Sequence, residues 1–484
     1  MAENENSYKS ILKGTSILGS VQVFQILVNL IRGKFVAMFL GPEGMGIASL
    51  FNSSANTISR FASLGLNLSF VKEVASRRDD PDRLAQTIRI AKLLAILTAS
   101  IGALATLLLA TPLSIWTFGS PDYAWQYALM AVAIFFMVAG YGECSLLQGL
   151  HKVKLISITS LAGALSGLLC GVPLYYFFGA RGIVPAMIIL SVTTYVCYRI
   201  GLSRGVSKRK VKLNWKEHMP VAKKMLSTGI ILLSSSLINT CCTYLINIFV
   251  RVYGDLADVG LFNAANSITM QYVGVVFSAM ALDYFPRLTA VAEDMTRMRG
   301  VIDRQLELVA IVATPLSLLL VATAPIVIRI LLTSQFLPVT PLMRWLGISI
   351  LLKAIAYPLG YIAFAKDNRR LFFLLEGVVC NILYLGLSLL FYRFFGLMGL
   401  GYAAVLENGL CIILYLGVNY RTYGYLPNRA AWRETAVGIA TGAVGFTATL
   451  LPISATISYL LIGTICLLSS LRAFRQIRHR VKES

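Results

Sequence analysis

From its first residues the chain alternates long apolar runs with short clusters of glycine, proline and charge, and the runs have the length of membrane crossings. A helix needs about 20 apolar residues to cross a bilayer. By that measure, spans are predicted near 11–39, 44–71, 85–111, 123–149, 155–178 and 183–203. A hydrophilic break follows at 204–224, RGVSKRKVKLNWKEHMPVAKK, the longest non-apolar stretch of the sequence. Six more spans lie near 225–252, 259–285, 304–332, 341–364, 370–392 and 397–420, and two more near 435–451 and 453–471. The pattern predicts an all-α polytopic membrane protein with about 14 transmembrane helices. Its expected divisions are an N-terminal six-helix bundle over 1–204, a cytoplasmic linker over 205–221, a second six-helix bundle over 222–424, and two extra helices with a basic cytoplasmic tail over 425–484.

Composition agrees with the pattern. Hydrophobic residues make up 57% of the 484 and charged residues 13%, against roughly 45–50% and 25% in soluble domains. Fourteen crossings would consume nearly all of that apolar content, which excludes a membrane-tethered enzyme with a globular head. The net charge of +21 raises the thought of nucleic acid or a lipid surface, so its placement matters more than its size. Most of the Lys and Arg fall in alternate loops: Lys72, Arg77, Arg78, Arg83 and Arg89; Lys152 and Lys154; the central linker; Arg287, Arg297 and Arg299; and the tail from Arg472 to Lys482. The intervening loops 112–122 and 333–340 have none. Positive charge marks the cytoplasmic side, so both termini are expected in the cytoplasm and nucleic acid is not expected as a partner. The start, MAENENSYKS, lacks the apolar core of a signal peptide, and the first helix is expected to be retained.

All eight cysteines lie in apolar stretches, where a thiol behaves as a small hydrophobe, and no disulfide framework is expected. His151, His218 and His479 sit in basic hydrophilic segments with no ligand partners at useful spacing. On those grounds no metal site, cofactor or histidine-based catalysis is expected.

Six spans followed by six put the start of both halves on the same side of the membrane, as in parallel repeats. A short echo fits: Phe51-Asn52-Ser53-Ser54-Ala55-Asn56-Thr57-Ile58 against Phe262-Asn263-Ala264-Ala265-Asn266-Ser267-Ile268. Several charges fall inside the spans. Arg251, Arg329, Arg344 and Lys92 lie near span ends, where long side chains reach the headgroups. Lys353 is roughly 18 Å of helix from either end of its span, and Arg60 is similarly deep. Arg32 and Lys34 stand about 200° apart around one helix, so they do not point the same way. A cation at the helix centre costs roughly 2.5–3.5 kcal/mol even on lenient scales, so these residues need partners or water. Glu143, Glu376 and Glu407 are the acidic candidates, with Glu376 placed to neutralise Lys353. Two readings stand: internal ion pairs that hold helices together, or a wet cavity, positive on balance, that suits an anion. Asn52, Asn56, Asn263 and Asn266 enrich two spans in amides that would line such a cavity or bond between helices.

Leu30-Ile31-Arg32-Gly33-Lys34-Phe35-Val36 leads into Leu40-Gly41-Pro42-Glu43-Gly44-Met45-Gly46, with Leu64-Gly65-Leu66 and Lys72-Glu73 after it. The second half has Val259-Gly260-Leu261-Phe262, Phe285-Pro286-Arg287-Leu288, Leu331 to Phe336, and Leu352-Lys353-Ala354 through Lys366 to Glu376. In order and spacing, over about residues 10–424, these resemble the bacterial O-antigen and lipid III flippases, in the polysaccharide-transporter branch of the multidrug/oligosaccharidyl-lipid/polysaccharide superfamily. The resemblance implies a MATE-like fold and an alternating-access flippase in the bacterial inner membrane. Its cargo would be an undecaprenyl-diphosphate-linked oligosaccharide repeat for O-antigen or another surface polysaccharide. It further implies rocking of 1–204 against 222–424 around a cavity lined by Arg32, Lys34, Arg60 and Lys353. A proton or sodium gradient would couple through Glu143, Glu376 or Glu407, and a polysaccharide polymerase is an expected functional partner. A multidrug or toxin exporter of the same superfamily is the alternative, although a cation exporter should present acidic groups. A membrane glycosyltransferase would need a sizeable catalytic loop, and a non-transporting scaffold would not need its buried charges exposed to water.

Overall fold

A computed structural model describes the backbone of residues 2–78, 80–205, 215–450 and 455–483, which is helical with no strand among the described residues. The helices are α1 (Ala2–Ser63), α2 (Leu66–Ala75), α3 (Pro81–Leu108), α4 (Ala110–Phe118), α5 (Ala124–Gly149), α6 (Val153–Phe178), α7 (Ile183–Gly205) and α8 (Trp215–Tyr253). They continue with α9 (Leu256–Ala290), α10 (Met295–Leu331), α11 (Thr340–Ala365), α12 (Arg369–Phe372), α13 (Cys380–Phe395), α14 (Leu397–Tyr423), α15 (Arg429–Thr447) and α16 (Ala455–Glu483). Among the described residues each predicted span falls on a helix or a joined pair, while residues 451, 453 and 454 of the last two spans lie outside the described residues. The first two share α1, which kinks at Gly41 (φ 65°) immediately before Pro42, and the second runs on into α2. Among the described residues, 8 stretches are long and apolar enough to cross a membrane. Large apolar side chains such as Leu108, Leu169, Phe177, Phe394 and Ile413 point outward. Water would penalise that surface and lipid welcomes it. The chain is an all-α, multi-pass membrane protein.

Helix starts are written into the sequence. Asp80 caps α3 by accepting from the backbone N–H groups of Asp82 (3.2 Å) and Arg83 (3.1 Å), with Pro81 at the first helical position. Asp294 caps α10 in the same way through Thr296 (2.9 Å) and Arg297 (3.2 Å). The two caps stand at matching places in the two halves, and a second pair of features recurs with them. Phe177-Phe178-Gly179-Ala180-Arg181-Gly182 joins α6 to α7, and Phe394-Phe395-Gly396-Leu397-Met398-Gly399 joins α13 to α14. Gly179 (φ 54°, ψ −134°) and Gly396 (φ 58°, ψ −143°) adopt the same backbone conformation, one that a side chain would strain.

Packing divides the chain into two compact units, Met1–Gly260 and Leu261–Ser484. In the first, α5 packs against α3 and α7, α6 against α7, and α1 against α6 and α8. α8 belongs here because it buries Ala222 and Met225 against Leu66, Phe70 and Val74 of α2. An ion pair reinforces the contact: buried Glu73 meets Lys224 at 2.9 Å and Arg77 at 3.1 Å. α8 already includes residues 215–221 of the expected linker, which are therefore helical. Residues 206–214 of that linker lie outside the described residues. In the second unit α11 packs against α10 and α14, and α13 against α14. The last two helices, α15 and α16, pack on α10. Buried Glu434 of α15 joins them through Arg472 of α16 (2.6 Å) and its neighbour Arg433 (3.0 Å). The segment before α15 is anchored by Tyr425, whose hydroxyl donates to Asp303 (2.8 Å), and burial there pushes that hydroxyl's pKa up.

Candidate functional site

Beyond the Gly41 kink, α1 carries Asn52, Asn56 and Arg60 at intervals of four, which places them on one face of the helix. All three are exposed, while Ser54, Thr57 and Ser59 between them are buried. The buried side is held by hydroxyls: that of Tyr127 on α5 is hydrogen-bonded to those of Ser54 (3.1 Å) and of Thr117 on α4 (2.8 Å), and Thr117 is bonded in turn to Tyr244 of α8. The stripe is therefore fixed on its inner face and open on its outer one. Arg60 stands in the last turn of α1, just before the helix breaks at Leu64 (φ 48°) and Gly65 (φ 67°). A Cβ on Gly65 would lie 2.0 Å from the carbonyl oxygen of Gly229, so α8 passes backbone to backbone against the break. Interrupted helices at membrane depth occur where the backbone is buried in protein or lines a wet cavity. Arg60 sits within electrostatic range of Tyr141 on α5, and Arg32, half-buried on the first arm of α1, sits within range of Tyr175 on α6. Lys34 is also half-buried.

The carboxylate of this unit behaves differently. Glu143 is buried on α5 and paired with Arg199 of α7 at 2.6 Å. Arg251, assigned from sequence to the headgroups, instead donates to the carbonyls of Thr117 (3.0 Å) and Trp116 (3.2 Å) and caps the end of α4.

In the second unit Lys353 lies at the middle of α11 with its side chain exposed. Glu376 does not pair with it. The Glu376 carboxylate accepts from the Tyr415 hydroxyl of α14 at 2.7 Å, and its Oε1 fills the space beside Gly360, where a Cβ would approach to 2.4 Å. Glu376 lies in a π-helical turn, Phe373–Val379, a bulge that re-aims side chains and recurs at functional sites. Cys380 follows it, 3.1 Å from the Tyr415 hydroxyl and 2.9 Å from the Cys411 sulfur, and Cys411 lies 3.3 Å from Glu407. Lys353 and Glu376 both act electrostatically on Glu407. Asn263 and Asn266 are half-buried on α9, and further along the helix Gln271 donates to Ser267 at 2.8 Å.

Two groupings thus emerge within single units: Asn52, Asn56 and Arg60 on α1, and Glu376, Glu407, Cys380, Cys411 and Tyr415 around α13 and α14. Arg32, Lys34, Arg60 and Lys353 make no ion pair among the described residues, whereas Glu143 does. Tyr415 and the two thiols were missed from sequence. The usable signal was the interval of four from Glu407 to Cys411 to Tyr415, which stacks all three on one helix face.

Residues 11–292 match the model of the polysaccharide biosynthesis protein family. The chain belongs to that family. It is 22% identical over 374 residues to the lipid III flippase of Escherichia coli K12, covering 76% of this chain and 88% of that protein, and to the same degree to the lipid III flippase of Shigella flexneri. Among solved structures it resembles the lipid II flippase MurJ in an inward closed conformation, at TM-score 0.72 and 14% identity over 96% of this chain and 99% of that one. It also resembles an inward-facing multidrug resistance MATE family transporter, at TM-score 0.70 and 16% identity over 84% and 98%. The fold is the one these flippases and exporters share.

Proposed function

We propose that this chain is a flippase that carries an undecaprenyl-diphosphate-linked oligosaccharide repeat from the inner to the outer leaflet of the bacterial cytoplasmic membrane, for O-antigen or another surface polysaccharide. The observation that carries the reading is the state of the intramembrane cations: Lys353 is exposed at mid-helix and Arg60 beside a helix break, neither with an ion pair among the described residues. A cation at that depth facing hydrocarbon is expensive, so each faces water or an anion. A diphosphate is a compact polyanion that ammonium and guanidinium groups hold through charge-assisted hydrogen bonds. The open faces of Asn52 and Asn56 supply donors and acceptors of the kind a sugar takes, with Asn263 and Asn266 in the same role on α9, and Arg32 and Lys34 add positive charge on α1. The 22% identity to a lipid III flippase supports the same cargo class.

Coupling to an ion such as a proton or sodium falls to the carboxylates of Glu376 and Glu407, which lie together around α13 and α14. Glu143 is already neutralised by Arg199 and serves structure. Both termini are cytoplasmic, with the basic loops inside, and a polysaccharide polymerase uses the product on the far side. A multidrug exporter shares the fold, but export of cations calls for exposed carboxylates, whereas Lys353 and Arg60 are exposed and basic. The test is reconstitution in liposomes with a short-chain polyprenyl-diphosphate oligosaccharide, followed by its accessibility to an external glycan-oxidising reagent. Protein-dependent exposure supports the reading. No exposure, alongside efflux of a lipophilic cation dye, overturns it in favour of the exporter.

A further inference from the structure

The thiol pair of the second unit goes beyond what cargo or coupling requires. Cys380 on α13 and Cys411 on α14 are buried, their sulfurs are 2.9 Å apart, and neither is in a disulfide. The Glu407 carboxylate lies one helical turn before Cys411, 3.3 Å from its sulfur, and the three donor atoms all fall within 4.8 Å of one another. The absence of useful histidines argues against metal at His151, His218 and His479, but it does not reach this trio. We propose that Cys380, Cys411 and Glu407 form a binding site for one thiophilic divalent cation of the zinc and cadmium class.

Softness comes first in the chemistry. Two thiolates select zinc-like ions over sodium, magnesium or calcium, and Glu407 completes a three-ligand set with one position left for water. Ligand reach comes second. A metal–sulfur bond of about 2.3 Å in tetrahedral geometry sets two sulfurs about 3.8 Å apart, so the pair opens by about 1 Å, a small rotation about each Cα–Cβ bond. Charge comes third. Two thiolates and a carboxylate bring three negative charges, a divalent ion leaves one, and Lys353, which already acts on Glu407, offsets it. That balance is what a low-dielectric site needs. The outer shell is in place as well: the Tyr415 hydroxyl contacts Cys380 and is itself fixed by Glu376. Half-buried Glu407 leaves a way in. Binding releases the two thiol protons to solvent and, by joining α13 to α14 at this point, restrains their relative movement.

Cadmium is the probe. The purified full-length protein, kept reduced with a phosphine, is titrated with Cd2+ while the thiolate-to-cadmium charge-transfer absorbance and the thermal unfolding of the protein are followed. One equivalent should bind, with an upward shift in melting temperature. Cys380→Ser and Cys411→Ser should each weaken binding by more than about 100-fold, beyond the 10–100-fold typical of an outer-shell loss, and Tyr415→Phe should fall within that range. Cys170→Ser, at an exposed thiol elsewhere, should change nothing. Melting curves without cadmium show which variants are folded, and Cys380→Ala replaces any serine variant that is not. Binding as strong as wild type in either the Cys380 or the Cys411 variant, or no charge-transfer band in the folded wild type at micromolar cadmium, overturns the site. No readout depends on transport, so the result stands apart from the flippase reading.

Discussion

Replacing Lys353 separates a substrate contact from a structural role. Its side chain is exposed at the centre of α11 and its ammonium makes no ion pair among the described residues, so Lys353→Ala orphans no described carboxylate: Glu376 keeps the Tyr415 hydroxyl and Glu407 keeps its contact with Cys411. A charge at mid-helix costs roughly 2.5–3.5 kcal/mol to hold in the membrane, so the neutral variant should insert at least as well as wild type. If Lys353 grips the diphosphate, the variant loses a hydrogen bond between charged partners, about 1.5–3 kcal/mol. At about 1.4 kcal/mol per decade, transport below saturation should fall about 10- to 100-fold. Lys353→Arg should retain part of the rate, since charge is kept while the planar fork differs from an ammonium. Lys353→Glu should lose more than Ala. The assay is initial flipping rate in liposomes, normalised to inserted protein, with surface glycan and membrane abundance measured in cells. Wild-type flipping by a stably inserted Ala variant refutes the contact. Failure of both Ala and Met variants to accumulate would instead make Lys353 part of the fold.

Other consequences are open to measurement. Glu376→Gln should remove the dependence of flipping on the ion gradient, and Tyr415→Phe, which takes away a 2.7 Å bond to that carboxylate, should slow flipping by roughly tenfold; an unchanged gradient response in Glu376→Gln would clear Glu376 of coupling. Gly229→Ala places a Cβ 2.6 Å from the Leu64 carbonyl oxygen and should destabilise the first unit by about 1–3 kcal/mol, read as a lower melting temperature in detergent. An unshifted melt would mean that the close approach of α8 to the α1–α2 break is not required. Arg472→Ala should harm the docking of α16 more than Glu434→Gln does, because the first leaves a carboxylate buried with a weaker partner while the second leaves arginines that water reaches. Protease resistance of α16 measures the order, and the reverse order would discard the argument.

The spans were legible because lipid imposes a simple rule: a crossing needs apolar length, and each of α3, α5, α6, α7 and α14 begins and ends within a few residues of its predicted span. The break at Leu64–Gly65 was not, since the apolar run continues through it and only the backbone angles reveal it. The mid-helix position of Lys353 was legible, whereas Arg60 falls in the last turn of α1, and pairing was not legible for either. Glu376 looked like a partner for Lys353 because both are apolar-span charges on neighbouring segments. The π-helical turn re-aims Glu376 toward Tyr415 instead, and sequence spacing at 3.6 residues per turn cannot anticipate an inserted residue. The FFGxxG turns at Phe177 and Phe394 were equally visible in the sequence, and unlike the Asn-rich echo they share a backbone conformation at their first glycine. Their backbone conformation is what makes them equivalent.

An asymmetry between the two signs of charge gives the strongest argument about direction of selectivity. Among the described residues the buried carboxylates Glu73, Glu143 and Glu434 are answered by Arg77 and Lys224, by Arg199, and by Arg472 and Arg433, and half-buried Glu376 accepts from the Tyr415 hydroxyl. Among the described residues Arg60, Lys353, Arg32 and Lys34 make no ion pair, although Lys353 acts electrostatically on Glu407. Carboxylates could have been spent on those four, since ion pairing is the ordinary remedy for charge at depth. Leaving them unpaired costs stability unless something else supplies negative charge during the working cycle. A diphosphate does so, and leaves with the cargo. A permanent partner would instead have to be displaced on every turn, at a cost in each cycle that grows with the strength of the pair.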